Sequence, residues 1–291
     1  MRTFSYKQVD VFTTRAGMGN PVGVVLAAES LDAAEMQRLA RWTNLSETTF
    51  VLPATTPEAD YRLRIFSPAH ELPFAGHPTV GSAHAALEAG LVSGPEFRQE
   101  CGAGILPLTA TDTPAGRRIS VVAPEAKFER EFGEYADAIA AALGMPIISD
   151  PPPAAMTNGP VWLFVQLAEE DAVIALEPDM AAVARLSRDH GLSGIAAFAL
   201  VDGAGPRVHI RCFAPPVGVY EDPVTGSANA ALPAYFARAG RLRTLGGDYV
   251  VSQGTELGRD GRVFVRVLDD RGRAEIGGHA LTVIDGALRL D

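Results

Sequence analysis

A duplication constrains the fold of this chain more than any other feature of its sequence. Glu71–Gly90, ELPFAGHPTVGSAHAALEAG, has a partner in Glu221–Gly240. Within these stretches PTVGSAHAAL at 78–87 reads against PVTGSANAAL at 223–232, an offset of 145 (223 − 78). Upstream, RLARWTNLSE at 38–47 matches RLSRDHGLSG at 185–194 at an offset of 147 (185 − 38), and Arg, Phe and Pro recur at 64/211, 66/213 and 68/215. So long a period marks a duplicated domain, not a solenoid. It predicts two related domains, 1–118 and 125–278, with a last strand at 279–291 returning to the first.

Each half reads as short alternating strands around one helix that is apolar on every side, Pro78 to Glu88 in the first and Gly226 to Ala239 in the second. A helix of that kind belongs inside a surrounding sheet. The fold class is therefore α+β, two pseudo-symmetric domains each built on a central helix. Asp32 is expected to cap a helix over Ala33–Thr43 whose Met36, Leu39, Ala40 and Trp42 face the core. Pro124–Gly133 reads as a polar linker and 151–160 as a proline-rich loop, while Pro233 should bend the second central helix.

The 35 acidic and 25 basic residues leave a net charge of −10, which argues against a phosphate backbone or an anionic membrane as partner. A small-molecule ligand fits better. The start MRTFSYKQVDVF lacks a signal-peptide core and no stretch of about 20 apolar residues occurs, so a cytoplasmic location is expected. Cys101 and Cys212 have no paired spacing and read as reduced, mostly buried thiols.

Helix starts carry unpaired N–H groups and favour negative charge. The two central helices would thus hold a carboxylate or phosphate at Pro78–Gly81, proline excepted, and at Thr225–Ala228, with Ser227 as a further donor or merely a cap. His77 and Asp222 read as corresponding residues just before each helix, one a base and one an acid, though either could be only a turn or capping residue. Glu47 lies at a helix-to-strand junction where the second copy has Gly194, so the scaffold does not need a carboxylate there. Asn20 sits in the turn before the second strand, where a plain turn former would also serve. His70, His77 and His84 are seven apart, but no second ligand has metal-type spacing, and a metal site is rejected. No GxSxG elbow occurs either.

Together, GNPVGVV at 19–25, NLSETTFV at 44–51, ELPFAGHPTVGSA at 71–83 and EDPVTGSANAAL at 221–232 resemble the phenazine-biosynthesis isomerase (PhzF-like) family, which shares the diaminopimelate-epimerase-like fold. The resemblance implies that each domain is a mixed sheet or barrel wrapped around its central helix, with the site in the cleft between them. It carries a catalytic glutamate onto Glu47, supporting acid/base and positioning roles onto His77 and Asp222, and substrate contacts onto Asn20, Ser46, Gly76, Gly226 and Ser227. It implies a cofactor-free isomerase that removes a proton from one carbon and delivers one to another, as with trans-2,3-dihydro-3-hydroxyanthranilate, and a homodimer. The superfamily's epimerases place a thiol near each helix start; here those positions read AGHP and EDPV, which disfavours a thiol racemase. The rival reading is a non-catalytic metabolite-binding or interaction protein on the same fold.

Overall fold

The first two strands, β1 (Arg2–Val11) and β2 (Asn20–Leu26), pair antiparallel around a turn that Asp10 closes through its carboxylate, which accepts the N–H groups of Met18 and Gly19 at 3.0 and 3.1 Å. There follow α1 (Ala33–Thr43), β3 (Thr48–Leu52), β4 (Tyr61–Phe66), β5 (Glu71–Leu72), α2 (Gly76–Glu88), β6 (Glu96–Cys101), β7 (Gly104–Thr113) and β8 (Gly116–Val122). The chain continues through β9 (Lys127–Glu131), α3 (Ala136–Leu143), β10 (Ala154–Thr157), β11 (Val161–Gln166), α4 (Glu170–Ile174), α5 (Met180–Asp189), β12 (Gly194–Leu200) and β13 (Val208–Ala214). It ends with β14 (Val219–Asp222), α6 (Gly226–Arg238), β15 (Asp248–Gln253), β16 (Gly261–Val267) and β17 (Ala274–Leu290). The structure, a computed structural model, describes residues 1–291 and divides them into two units, 1–122 with 277–291, and 123–276.

In the first unit β17 pairs with β1 and the order runs on through β2, β3, β4, β6 and β7 to β8, which pairs with β17 again. The result is a closed eight-stranded barrel around α2. The helix fits because its side chains are small: a Cβ on Gly81 would overlap Val22 and come within 2.8 Å of Val11. The second unit repeats the plan, β9–β10–β11–β12–β13–β15–β16, packed on α6. Even the parallel steps recur, β2–β3 and β4–β6 in one unit, β11–β12 and β13–β15 in the other. Helices cover the outer faces: α1 packs Met36, Leu39 and Ala40 onto Phe50 and Phe66, and α3 and α5 pack Ile139, Leu143 and Val183 onto Leu163, Ile195 and Phe213.

An arginine–glutamate pair marks the same place in both units. Arg64 on β4 forks onto Glu71 at 2.7 and 2.7 Å, and Arg211 on β13 forks onto Glu221 at 2.8 and 2.9 Å. Each guanidinium also lies 5.1 Å from a phenylalanine ring two residues on, Phe66 or Phe213. Five residues after each glutamate the central helix starts, at Gly76 and Gly226.

These pairs correct the register read from the decamers. In the fold the offset is 150 (226 − 76), so His77 corresponds to Ser227, whereas Asp222 corresponds to Leu72 and lies in a strand ahead of its helix. Pro78 is the third residue of α2, not its first. Trp42 is also corrected: it is 75% exposed, because its position on α1 points away from the stripe of Met36, Leu39 and Ala40. The supposed linker contains β9 and the supposed loop β10, which pair with each other. Pro233 lies within α6, which runs unbroken from 226 to 238, and Gly272 comes so close to the Pro233 carbonyl that a Cβ would overlap it. Asp32 does cap α1, as half of a reciprocal box with Glu35.

Candidate functional site

Within the first unit the fold gathers Asn20, Glu47 and His77. Asn20 is delivered by the turn that buried Asp10 holds, at the first position of β2. Ser46 and Glu47 occupy the half-buried bend between α1 and β3. Thr43 and Thr48 hydroxyls, 2.6 Å apart, tie that bend together, and Thr49 reaches Ser82 on α2 at 2.8 Å. His77 is the second residue of α2, 5% exposed, with Nε2 3.3 Å from Glu47 Oε2 and Nδ1 3.3 Å from Asn20 Nδ2. The Glu47 contact is near enough to share a proton yet out of line for a full hydrogen bond.

Burial governs the imidazole. It pushes the His77 pKa down to about 3, and a hydrogen bond to the Pro21 carbonyl offsets only part of that. The ring is neutral at pH 7. Above it, α2 has no side-chain cap; its first internal bond is Thr79 N–H to the Ala75 carbonyl, so Gly76 and His77 N–H groups have no helical acceptor.

Within the second unit, Thr225 ties Asp222 to the turn from which Gly226 and Ser227 start α6. The Thr225 hydroxyl donates to Asp222 Oδ2 at 2.6 Å while accepting from Gln253 Nε2 at 2.9 Å, so its single hydrogen is committed to the carboxylate. Gln253, 1% exposed, also accepts the Thr225 N–H at 2.9 Å and donates to the Asp222 carbonyl at 2.9 Å. Ser227 Oγ accepts the Trp162 indole N–H at 2.9 Å, and the Ser227 carbonyl accepts from Asn158 Nδ2 at 3.0 Å. The first bond within α6 runs from Asn229 N–H to the Thr225 carbonyl, leaving Gly226, Ser227 and Ala228 N–H groups without helical acceptors.

Sequence reasoning missed Asp10, Gln253, Asn158 and Trp162, and took Thr225 only for a backbone donor. All four missed residues bond to a site residue or to the turn that carries one, and none has a motif of its own. A polar residue in a run of apolar strand positions, as at Asp10 and Gln253, is the signal that could have flagged two of them. Both cysteines are free, Cys212 buried and Cys101 partly so; neither is in the central helices.

Two units of this plan, each a mixed sheet around a buried helix whose start carries polar side chains and bare N–H groups, define a chain of the diaminopimelate-epimerase-like class. A family model described as phenazine biosynthesis-like protein matches residues 9–286, and the chain belongs to that PhzF family. It is 37% identical to the antisense-enhancing sequence 1 protein of Schizosaccharomyces pombe, over 98% of this chain and 99% of that one. It is 36% identical to a trans-2,3-dihydro-3-hydroxyanthranilate isomerase of Pseudomonas chlororaphis, again over 98% and 99%. A Bacillus anthracis phenazine biosynthesis protein of the PhzF family has the same fold at a TM-score of 0.85 and 28% identity, with 100% of both chains covered. No helix is long and apolar enough to cross a membrane.

Proposed function

We propose that this chain is a cofactor-independent isomerase that moves a carbon-bound proton on a small carboxylated metabolite, with Glu47 as the general acid/base. The observation that carries the reading is the row of half-buried Glu47 with buried His77 and Asn20. A residue that takes a proton and later returns one must be served in both of its protonation states. Neutral His77 can do both. With its Nδ1–H on the Pro21 carbonyl, its bare Nε2 accepts from a protonated Glu47; with Nδ1 accepting from Asn20, its Nε2–H donates to the carboxylate.

Glu47 removes the proton from one carbon of an unsaturated substrate. The electron pair left behind shifts along the conjugated system, and the carbon at its far end takes a proton back from Glu47; no electron leaves the substrate. The bare N–H groups at a helix start hold the substrate carboxylate by charge-assisted bonds. Asp222, fixed by Thr225 and Gln253, serves as the supporting acid/base group. The relatives named as trans-2,3-dihydro-3-hydroxyanthranilate isomerases make that compound the first substrate to try.

The test is incubation of the purified protein with that compound and related cyclic carboxylates in deuterated water, read by mass. Carbon-bound deuterium should appear in substrate or product and should vanish with Glu47→Gln. Binding without any exchange would instead favour the rival, a metabolite-binding protein on the same fold.

A further inference from the structure

The geometry points to Trp162 as a specificity-determining residue: it turns the Ser227 hydroxyl into a committed donor, so that the substrate group seated at the start of α6 must be an acceptor such as a carboxylate. A serine hydroxyl ordinarily has a choice, with one hydrogen to give and two lone pairs to receive with. An indole N–H has none, since it only donates. Trp162, 4% exposed, aims that N–H at Ser227 Oγ from 2.9 Å and occupies one lone pair without offering any acceptor for the serine hydrogen. Asn158 meanwhile holds the backbone carbonyl of the same residue. The serine hydrogen is left for a ligand, beside the bare N–H groups of Gly226, Ser227 and Ala228. A neutral amide, whose NH2 end also needs an acceptor, fits this row less well than a carboxylate.

The corner beside the ring is closed to side chains: a Cβ on Gly194 would overlap the Phe213 carbonyl and come within 2.8 Å of Trp162 Cζ3, so glycine there accommodates both the neighbouring strand and the indole. Trp162 acts through Ser227 and is a positioning residue. The inference rests on the proposed carboxylate substrate, but its test involves no turnover; an unchanged Glu47→Gln rate would sink the proton-transfer reading and leave this one standing.

Calorimetric titration of the full chain with anthranilate and with its neutral amide compares wild type, Trp162→Phe, Ser227→Ala and the double variant. Wild type should prefer anthranilate about tenfold or more, and Trp162→Phe should weaken anthranilate roughly three- to tenfold while barely moving the amide. The double variant should bind no worse than Ser227→Ala alone. Equal losses for both ligands, additive losses in the double variant, or a wild type without preference would overturn the assignment. Should Trp162→Phe not fold, Trp42→Phe leaves Trp162 as the sole tryptophan. Its emission should then respond to benzoate, and stop responding when Ser227→Ala is added. An unchanged emission on saturation, or a response that survives Ser227→Ala, overturns it equally.

Discussion

At the start of α2 the second residue, His77, is met by Glu47 from the corner between α1 and β3; at the start of α6 the second residue, Ser227, is met by Trp162 from β11, and the equivalent corner holds Gly194. The Phe213 carbonyl and the indole together fill the space a side chain at 194 would need. The scaffold beneath is the same in both units, down to the forked Arg64–Glu71 and Arg211–Glu221 pairs. The two units thus share the strand order and the bare helix start, and differ in the helix's second residue and in what reaches it. One unit presents a group that can carry a proton. The other presents a group that can only give a hydrogen bond.

The strongest way to break this contrast is kinetic. Glu47→Gln should cut turnover by about two to four orders of magnitude with little change in KM, the range for losing a positioned acid/base group. Ser227→Ala should instead raise KM by roughly tenfold and cost turnover much less, and steady-state measurement on both variants would erase the contrast if the two patterns matched.

Stability sharpens it next. The Arg211–Glu221 pair is enclosed, with side chains 8% and 10% exposed, against 19% and 42% for Arg64–Glu71. Arg211→Met should cost about 3–5 kcal/mol, because it strands a buried carboxylate and frees the carbonyls of Val173, Ile174 and Leu176. Arg64→Met should cost about 1 kcal/mol or less. Urea unfolding of both variants decides it; equal losses would mean the two pairs are not differently buried in solution. Gly194→Ala should cost about 1–3 kcal/mol in the same assay, since its methyl would collide with the Phe213 carbonyl and crowd Trp162.

The effect that is smallest near neutral pH concerns acid. An unfolded His77 binds a proton below about 6.5, but the buried one only below about 3. Between those values the unfolded state holds more protons, so stability falls as the pH drops through the window and is unaffected by this group above it. The slope should reach at most about 1.4 kcal/mol per pH unit and flatten in His77→Asn, as seen in melting temperature against pH. Ser227, its counterpart, adds no such slope.

Much of the fold was legible. Asp32 and Glu35 announce the start of α1 by capping chemistry, and the two all-apolar helices announce a core that surrounds them. The register of the repeat was not, because helices made of Ala, Gly and Ser match each other nearly as well when slid by a few residues as when correctly aligned. The sparse residues with directional bonds, the forked arginines and glutamates, settle it. The strands β9 and β10 were hidden by prolines around them and by the exposed, charged run KFERE. Asn20, Glu47 and His77 could be picked out, as could Ser227, but their supports Asp10, Gln253 and Trp162 act through contacts at sequence separations of 8 to 65 residues that no local pattern encodes.

The barrel of the first unit is closed by residues 280–290, which pair with β1 along its whole length from Val11 to Arg2. During synthesis, then, β1 leaves the ribosome long before its neighbour exists. The contiguous second unit is translated complete in the interval, on the order of ten seconds at ordinary elongation rates, while the first waits with a bare strand edge. The half that carries Glu47 and His77 is thus the last to finish, and an unfinished chain exposes the kind of edge that chaperones cover and aggregates recruit.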